Sequence, residues 1–436
     1  MNQRNNRRLA LFPVPFQGYI NPKLHLAQIL HDQGFSITIL HTDLNSPDPS
    51  SHPHFTFRSI SDGLRQSEAS TSDGVRLMTL LNARCAAPFE ERLREEVSSL
   101  DAPVTCLIAD ALFGFNRDAA ERAGVRRMVL RTTGATSFRV LAGFRSLRGR
   151  GYLPIEESRL EDPVPEFPPI RVKDLPRITG EPELLDQILN DMIEGIKDSS
   201  GVILNTFEDL EQPALSLLRQ EYPIAVFPIG PFHKCGPSSS GSLLAEDRSC
   251  ISWLDKQAPN LVVYVSFGSI ASVNDQQPFL WVIRPGSVSS SELLENLPSC
   301  FLEALEERGK IVKWAPQHEV LAHRAVGAFW THNGWNSTLE SISKGVLMIC
   351  MPCFSDQNVN ARFVSDVWRV GVHLNNGLER RKIAEAIRRL LRAARFKEKA
   401  NSCLMQGGSS FQSLDGLANH ILSSESFIFG SNESSA

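Results

Sequence analysis

A chain of 436 residues exceeds what a single hydrophobic core supports, because cores stop growing near ~250–300 residues, so two domains are expected. Its 42% hydrophobic and 22% charged residues are those of an ordinary soluble globular protein, and a net charge of −4 excludes the basic footprint of a nucleic-acid binder. No run reaches the ~18 apolar residues of a membrane span. Pro13 and Pro15 break the apolar run behind the basic N-terminus, so no secretory leader is expected and a cytoplasmic protein without membrane partners is.

In chain order, "LALFPVP" (9–15), a helical pattern from about Asn21 to Gln33, and "FSITILHT" (35–42) read as strand, helix, strand. Further strands are expected at "FTFRSI" (55–60), "VTCLIAD" (104–110) and "RRMVLRT" (126–132), with helical patterns around 74–99, 113–124 and 136–147. This alternation predicts a parallel sheet covered by helices on both faces. After "GVILNTFEDLE" (201–211) and "IAVFPIGP" (224–231) comes a Gly/Ser/Pro-rich stretch, "HKCGPSSSGSLLAEDRS", which reads as a linker. The expected division is 1–233 as the N-terminal domain, 234–250 as linker, 251–410 as the C-terminal domain, and 411–436 as a C-terminal helix and tail.

The alternation restarts with "LVVYVSFGS" (261–269), "PFLWVIRP" (278–285), "KIVKWAP" (310–316), "VGAFWTH" (326–332) and "GVLMICMP" (345–352). One interval does not fit. Only residues 270–277 separate the first two of these strands, whereas a parallel crossover needs a dozen or more. Either the two strands pair antiparallel or a connecting helix is missing. The eight cysteines, at 85, 106, 235, 250, 300, 350, 353 and 403, are too dispersed for a disulfide framework. Cys350 and Cys353 form a lone C-x-x-C with no second pair, so they are expected to be structural and no metal is expected.

Ligands of open α/β sheets sit beyond the carboxyl ends of the strands. There the sequence places His332, Asn333, Gly334, Asn336 and Ser337, between a strand and the helix "NSTLESISKG", where free N–H groups and the helix dipole suit a diphosphate. Glu340 falls one turn after Asn336 and could accept hydrogen bonds from sugar hydroxyls. Asp356 and Gln357 follow the next strand, and Trp314 ends another, where an indole could stack on a planar base. A nicotinamide oxidoreductase is the competing reading of the sheet pattern, but no G-x-G-x-x-G follows the first strand.

From Trp314 to Gln357, "WAPQHEVLAHRAVGAFWTHNGWNSTLESISKGVLMICMPCFSDQ" resembles the 44-residue signature of plant UDP-dependent glycosyltransferases. The resemblance extends over nearly the whole chain, including "FPVPFQG" and "QGGSS" (406–410). It implies a GT-B fold, two Rossmann-like domains facing one another across a cleft, with the acceptor on the N-terminal domain and UDP-glucose, a co-substrate rather than a cofactor, on the C-terminal one. By motif position, Trp314 would stack on uracil and the Ala315 backbone would pair with its edge. Gln317 and Glu340 would hold the ribose. His332, Asn336, Ser337 and Ser269 would hold the diphosphate, while Trp335, Asp356 and Gln357 would meet the sugar. Leu347 stands where the family usually has proline, which reads as a packing change.

In that family a histidine in "FQGHINP" takes the acceptor's proton and an aspartate orients it. Here the loop reads "FQGYINP", so Tyr19 stands at the base position and Asp110 matches the aspartate. A phenol with a reference pKa of about 10 is protonated at neutral pH. His25, six residues along, would lie ~120° around a helix from Tyr19 and is a poor substitute. Gly18, Thr132, Phe16, Phe113 and Phe138, with Phe144, are expected acceptor or sugar contacts. The resemblance implies inverting transfer of glucose to a hydroxyl or carboxyl of a small lipophilic acceptor by a monomer. The alternative is a weak or inactive relative that still binds UDP-sugar or a small molecule, which Tyr19 and shortened stretches near 269–278 and 390–402 would favour.

Overall fold

A computed structural model describes residues 7–71, 73–99, 102–235, 245–266, 278–283, 309–373 and 390–423. Ser269 and the short interval around it lie outside the described residues.

The chain divides into two compact units. The first comprises Met1–Glu156, Ile178–Leu243 and Cys403–Ala436, and the second Glu157–Arg177 and Leu244–Ser402. This differs from the division expected from sequence in two places. Residues 157–177 group with the C-terminal half, and the chain rejoins the first unit from Cys403 rather than leaving a separate tail after 410.

The first unit is built on a seven-stranded sheet of order β3-β2-β1-β4-β5-β6-β7. Its strands are β1 (Arg8–Phe12), β2 (Ser36–Thr42), β3 (Thr56–Ile60), β4 (Val104–Ala109), β5 (Arg126–Arg131), β6 (Gly201–Leu204) and β7 (Ala225–Pro228). All neighbours pair parallel. Successive side chains of a strand face opposite ways, and β1 shows what each face meets. Leu9 and Leu11 pack with Ile20, Leu24 and Leu30 of the helix Gln17–Asp32 and with Leu417 and Ile421 of the helix Ser409–Leu422. Ala10 and Phe12 pack instead with Leu77, Leu81, Phe89 and Leu93 of the helix Gly74–Val97. Helices on both faces explain why the strands read as continuous apolar runs rather than alternating ones.

The second unit carries a six-stranded sheet of order β10-β9-β8-β11-β12-β13. Its strands are β8 (Val262–Ser266), β9 (Phe279–Val282), β10 (Gly309–Val312), β11 (Val326–Thr331), β12 (Leu347–Cys350) and β13 (Gly371–His373). β8 and β9 pair parallel, with Val263 opposite Phe279, which removes the antiparallel alternative for the short interval. Counted from β8, the order is 3-2-1-4-5-6, that of a dinucleotide-binding sheet. Leu347, at the proline position of the signature, is a buried residue of β12 paired with Ala328 of β11.

The stretch 157–177 is fastened to the second unit by named bonds. The Ser355 N–H donates to the Arg177 carbonyl at 2.8 Å, and Arg362 Nε donates to the Pro169 carbonyl at 3.2 Å. Arg362 also pairs with buried Asp174 at 3.4 Å. No helix among the described residues is long and apolar enough to cross a membrane.

Candidate active site

In each sheet the strand order reverses at one point, between β1 and β4 in the first and between β8 and β11 in the second. The crevice beyond the carboxyl ends at such a point is where these folds bind ligands. The expected residues fall at both.

In the second unit, β11 delivers His332 and the chain then enters the helix Trp335–Lys344. His332 Nδ1 lies 3.4 Å from the Ser266 carbonyl at the end of β8, which ties together the two strands that flank the reversal. Asn333 takes a left-handed φ of 61° and is fully buried. Its Nδ2 donates to Cys350 Sγ at 3.3 Å, and its carbonyl accepts from Asn360 Nδ2 at 2.9 Å. Gly334 allows a close approach: a Cβ there would lie 2.6 Å from His332 Nε2, so the imidazole would have to shift. At the other end Gly345 closes the helix at φ 73°, the left-handed cap that glycine supplies at least cost.

Gln317, Ser337 and Glu340 form one network. Gln317 Nε2 donates to Glu340 Oε2 at 2.6 Å and to Ser337 Oγ at 3.1 Å, while the Tyr264 hydroxyl donates to Gln317 Oε1 at 3.2 Å. His318 Nε2 lies 3.4 Å from Glu340 Oε1. Tyr264 and His318 were not anticipated. A tyrosine inside the apolar run of β8 carries no sign of what its hydroxyl reaches. Trp314 is half-buried two residues past β10, its carbonyl accepting from the Asp247 N–H at 2.9 Å, and Ala315 is buried. Asn336 is half-buried in the first turn of the helix. Trp335 is buried, its ring centroid 6.1 Å from that of Trp368, so its indole serves the interior. Asp356 accepts from Asn360 Nδ2 at 3.0 Å, and Gln357 Oε1 accepts from the N–H groups of Cys353 and Phe354. Those bonds hold Gln357's amide group at the head of the helix Gln357–Arg362.

In the first unit, the helix after β1 begins at Gln17, four residues before the expected start, so Tyr19 sits in its first turn. Gly18 is exposed, while Tyr19 and Phe16 are half-buried with ring centroids 6.2 Å apart. Asp110 follows β4 and is fully buried. Its Oδ1 accepts from the Leu112 N–H at 3.0 Å and meets Arg131 Nη1 at 3.3 Å, while Oδ2 has no hydrogen-bond partner among the described residues. The carboxylate is therefore oriented by an arginine rather than by residue 19. Thr132, next to Arg131, is buried.

Two expected acceptor contacts require correction. Phe113 is fully buried, stacked on Phe12 at 4.9 Å and tilted against Phe115 at 5.1 Å. Phe138 is buried between Tyr222 and the Arg131 guanidinium, whose Cζ stands 5.5 Å from its ring. Both rings are core. Phe144, expected beside them, is buried as well.

Lys23, which lies on the helix one turn past Tyr19, is 1% exposed. Burial lowers its amine from 10.5 to about 7, against the pull of the Asp110 carboxylate and with the push of Arg131. The signal was present in sequence: Lys23 interrupts the apolar stripe formed by Ile20, Leu24 and Ala27.

Known proteins resemble this chain in sequence and in fold. A family model described as UDP-glucoronosyl and UDP-glucosyl transferase matches residues 207–405. UDP-glycosyltransferase 76F2 of Arabidopsis thaliana is 49% identical over 467 aligned positions, covering 99% of this chain and 100% of that protein. UDP-glycosyltransferase 76G1 of Stevia rebaudiana is 44% identical over 96% of this chain and 98% of its own length. Among solved structures, Os79 from O. sativa in complex with UDP is similar at a TM-score of 0.76 with 27% identity, covering 95% of this chain and 100% of that one. A UDP-glucosyltransferase from Polygonum tinctorium capable of glucosylating indoxyl is similar at 0.78 with 26% identity, covering 96% and 99%. With a relative 49% identical along its entire length and the same two parallel-sheet units, the chain belongs to the plant UDP-glycosyltransferases of the GT-B fold.

Proposed function

We propose that this enzyme transfers glucose from UDP-glucose, with inversion and without a metal, to a hydroxyl or carboxyl of a small lipophilic acceptor in the cytoplasm of a plant cell, acting as a monomer. The observation that carries the donor half is the Gln317–Ser337–Glu340 network at the start of the helix after β11. A carboxylate and an amide there suit ribose hydroxyls, and the helix start suits a diphosphate. Trp314 and Ala315 are assigned to the uracil, His332, Asn336, Ser337 and Ser269 to the diphosphate, and Asp356 and Gln357 to the glucose. Similarity to a rice protein solved with UDP supports the same assignment.

On the acceptor side the reading assigns Tyr19, Asp110 and, as contacts, Gly18, Phe16 and Thr132. A specific observation favours a second reading, a weakened transferase or a UDP-sugar-binding relative. Tyr19 replaces a stronger base, and the alignment with the Arabidopsis relative runs over 467 positions, more than the 436 of this chain, so the relative carries residues missing here.

Calorimetric titration with UDP and UDP-glucose, followed by transfer assays on phenols, alcohols and carboxylic acids, separates the two. Binding with turnover is expected. Binding without turnover on every acceptor establishes the second reading, and no binding of UDP refutes the donor-site assignment.

A further inference from the structure

Tyr264 sets a hydroxyl into the apolar run of β8. The residue is 1% exposed, and its ring stacks on Phe329 of the neighbouring β11, with centroids 4.9 Å apart and planes 19° apart. Packing accounts for the ring but not for the hydroxyl, which phenylalanine would omit, since a buried phenol needs a hydrogen-bond partner. That partner is Gln317 Oε1, 3.2 Å away.

The Gln317 amide has one orientation that chemistry permits. Glu340 Oε2 lies 2.6 Å from one end of it, and Ser337 Oγ lies 3.1 Å from the same end. A carboxylate only accepts, so that end is the NH2 group, and the amide oxygen at the other end is left for a donor. Tyr264 supplies the donor. The second oxygen of the carboxylate, Glu340 Oε1, lies 3.4 Å from His318 Nε2. A core hydroxyl is thus joined through one amide to a buried carboxylate on a different element.

Resting on the donor-site reading above, we propose that Tyr264 is a positioning residue for the nucleotide: its hydroxyl locks the Gln317 amide, which in turn aims the Glu340 carboxylate at the ribose hydroxyls of UDP. Ribose hydroxyls donate and a carboxylate accepts, so the aim of Glu340 decides how sharply a ribose is told from a sugar lacking one hydroxyl. Without the phenol the Gln317 oxygen loses its donor and the amide is released to turn, so Glu340 loses a fixed partner. Tyr264 acts on UDP only through Gln317.

The test is calorimetric titration of the full chain with UDP, 2′-deoxy-UDP and 3′-deoxy-UDP, for the wild type, Tyr264→Phe, Gln317→Leu and the double variant. The wild type should bind UDP more tightly than at least one deoxy form. Tyr264→Phe, which keeps the ring on Phe329, should weaken UDP ~5- to 10-fold and that deoxy form less, so the ratio between them shrinks. Adding Tyr264→Phe to Gln317→Leu should cost no further affinity, because the amide it holds is gone. A role confined to packing would weaken all three nucleotides alike, so unchanged ratios in a folded Tyr264→Phe overturn the proposal. A full additional loss in the double variant overturns it as well. If Tyr264→Phe does not fold, Gln317→Leu decides: wild-type ratios overturn the proposal, and their collapse supports it. A wild type that binds UDP without favouring it over either deoxy form overturns the proposal alone, whereas one that binds no UDP takes the donor-site reading down with it.

Discussion

Among the described residues, Lys23 departs from the rule that buried charges are paired, its Nζ having no hydrogen-bond partner. Its amine is lowered to about 7, so the folded protein sheds a proton that the unfolded chain keeps until ~10.4. Between those values the unfolded state binds more protons, so the lysine makes stability rise with pH; below about 7 both states are protonated and the whole cost of burial is felt. Lys23→Met should therefore stabilise the fold by a few kcal/mol, at ~1.4 kcal/mol for each tenfold change in proton affinity. In thermal unfolding, the gap between variant and wild type should be widest at pH 6 and narrow towards pH 10. A gap independent of pH would mean that the lysine keeps its proton when folded. A lysine inside an apolar helical stripe was visible in the sequence, but its partners were not, because Asp110 and Arg131 reach it only through strand order. Phe113 and Phe138 show the converse limit: an apolar ring just past a strand reads the same whether it lines a pocket or fills the core.

Among the elements, the turn from β11 into the helix Trp335–Lys344 carries the most constraint for its length. Glu340 accepts a 2.6 Å hydrogen bond from Gln317, and its replacement leaves that amide short of an acceptor. Glu340→Ala should weaken UDP binding by ~10- to 100-fold, the range that corresponds to losing a hydrogen bond with a charged partner, as read by calorimetry. Undiminished affinity would detach the carboxylate from the donor site. Gly334→Ala should act through geometry, since the added Cβ would sit 2.6 Å from His332 Nε2. We expect weaker UDP binding with little change in the melting temperature, because the ring has to move and the core does not. This element was legible in advance because its residues stand close in sequence. The Tyr264–Gln317 bond was not, because it joins strand and helix 53 residues apart.

For the molecule as a whole, the parallel sheets could be anticipated because strands covered on both faces must be apolar along their length. The path of the chain could not. Residues 157–177 hold short 3-10 turns and isolated bridges and show no periodicity, so nothing in their spacing announces that they belong to the second unit. The helix Ser409–Leu422 likewise looks like a tail, yet Leu417, Ala418 and Ile421 are fully buried against the first sheet. Ending the chain at residue 408 should cost several kcal/mol, at ~1.5–3 kcal/mol for each large apolar side chain uncovered, a large part of a typical ~5–15 kcal/mol stability. Soluble yield and the unfolding midpoint should both fall, and an unchanged midpoint would show the helix to be dispensable. The two units also exchange the chain four times, at 156–157, 177–178, 243–244 and 402–403. During synthesis this has a consequence of order. Once 402 residues have been joined, everything the second unit needs has been synthesised while the first still waits for its closing helix, so the unit begun earliest is the last whose sequence is completed.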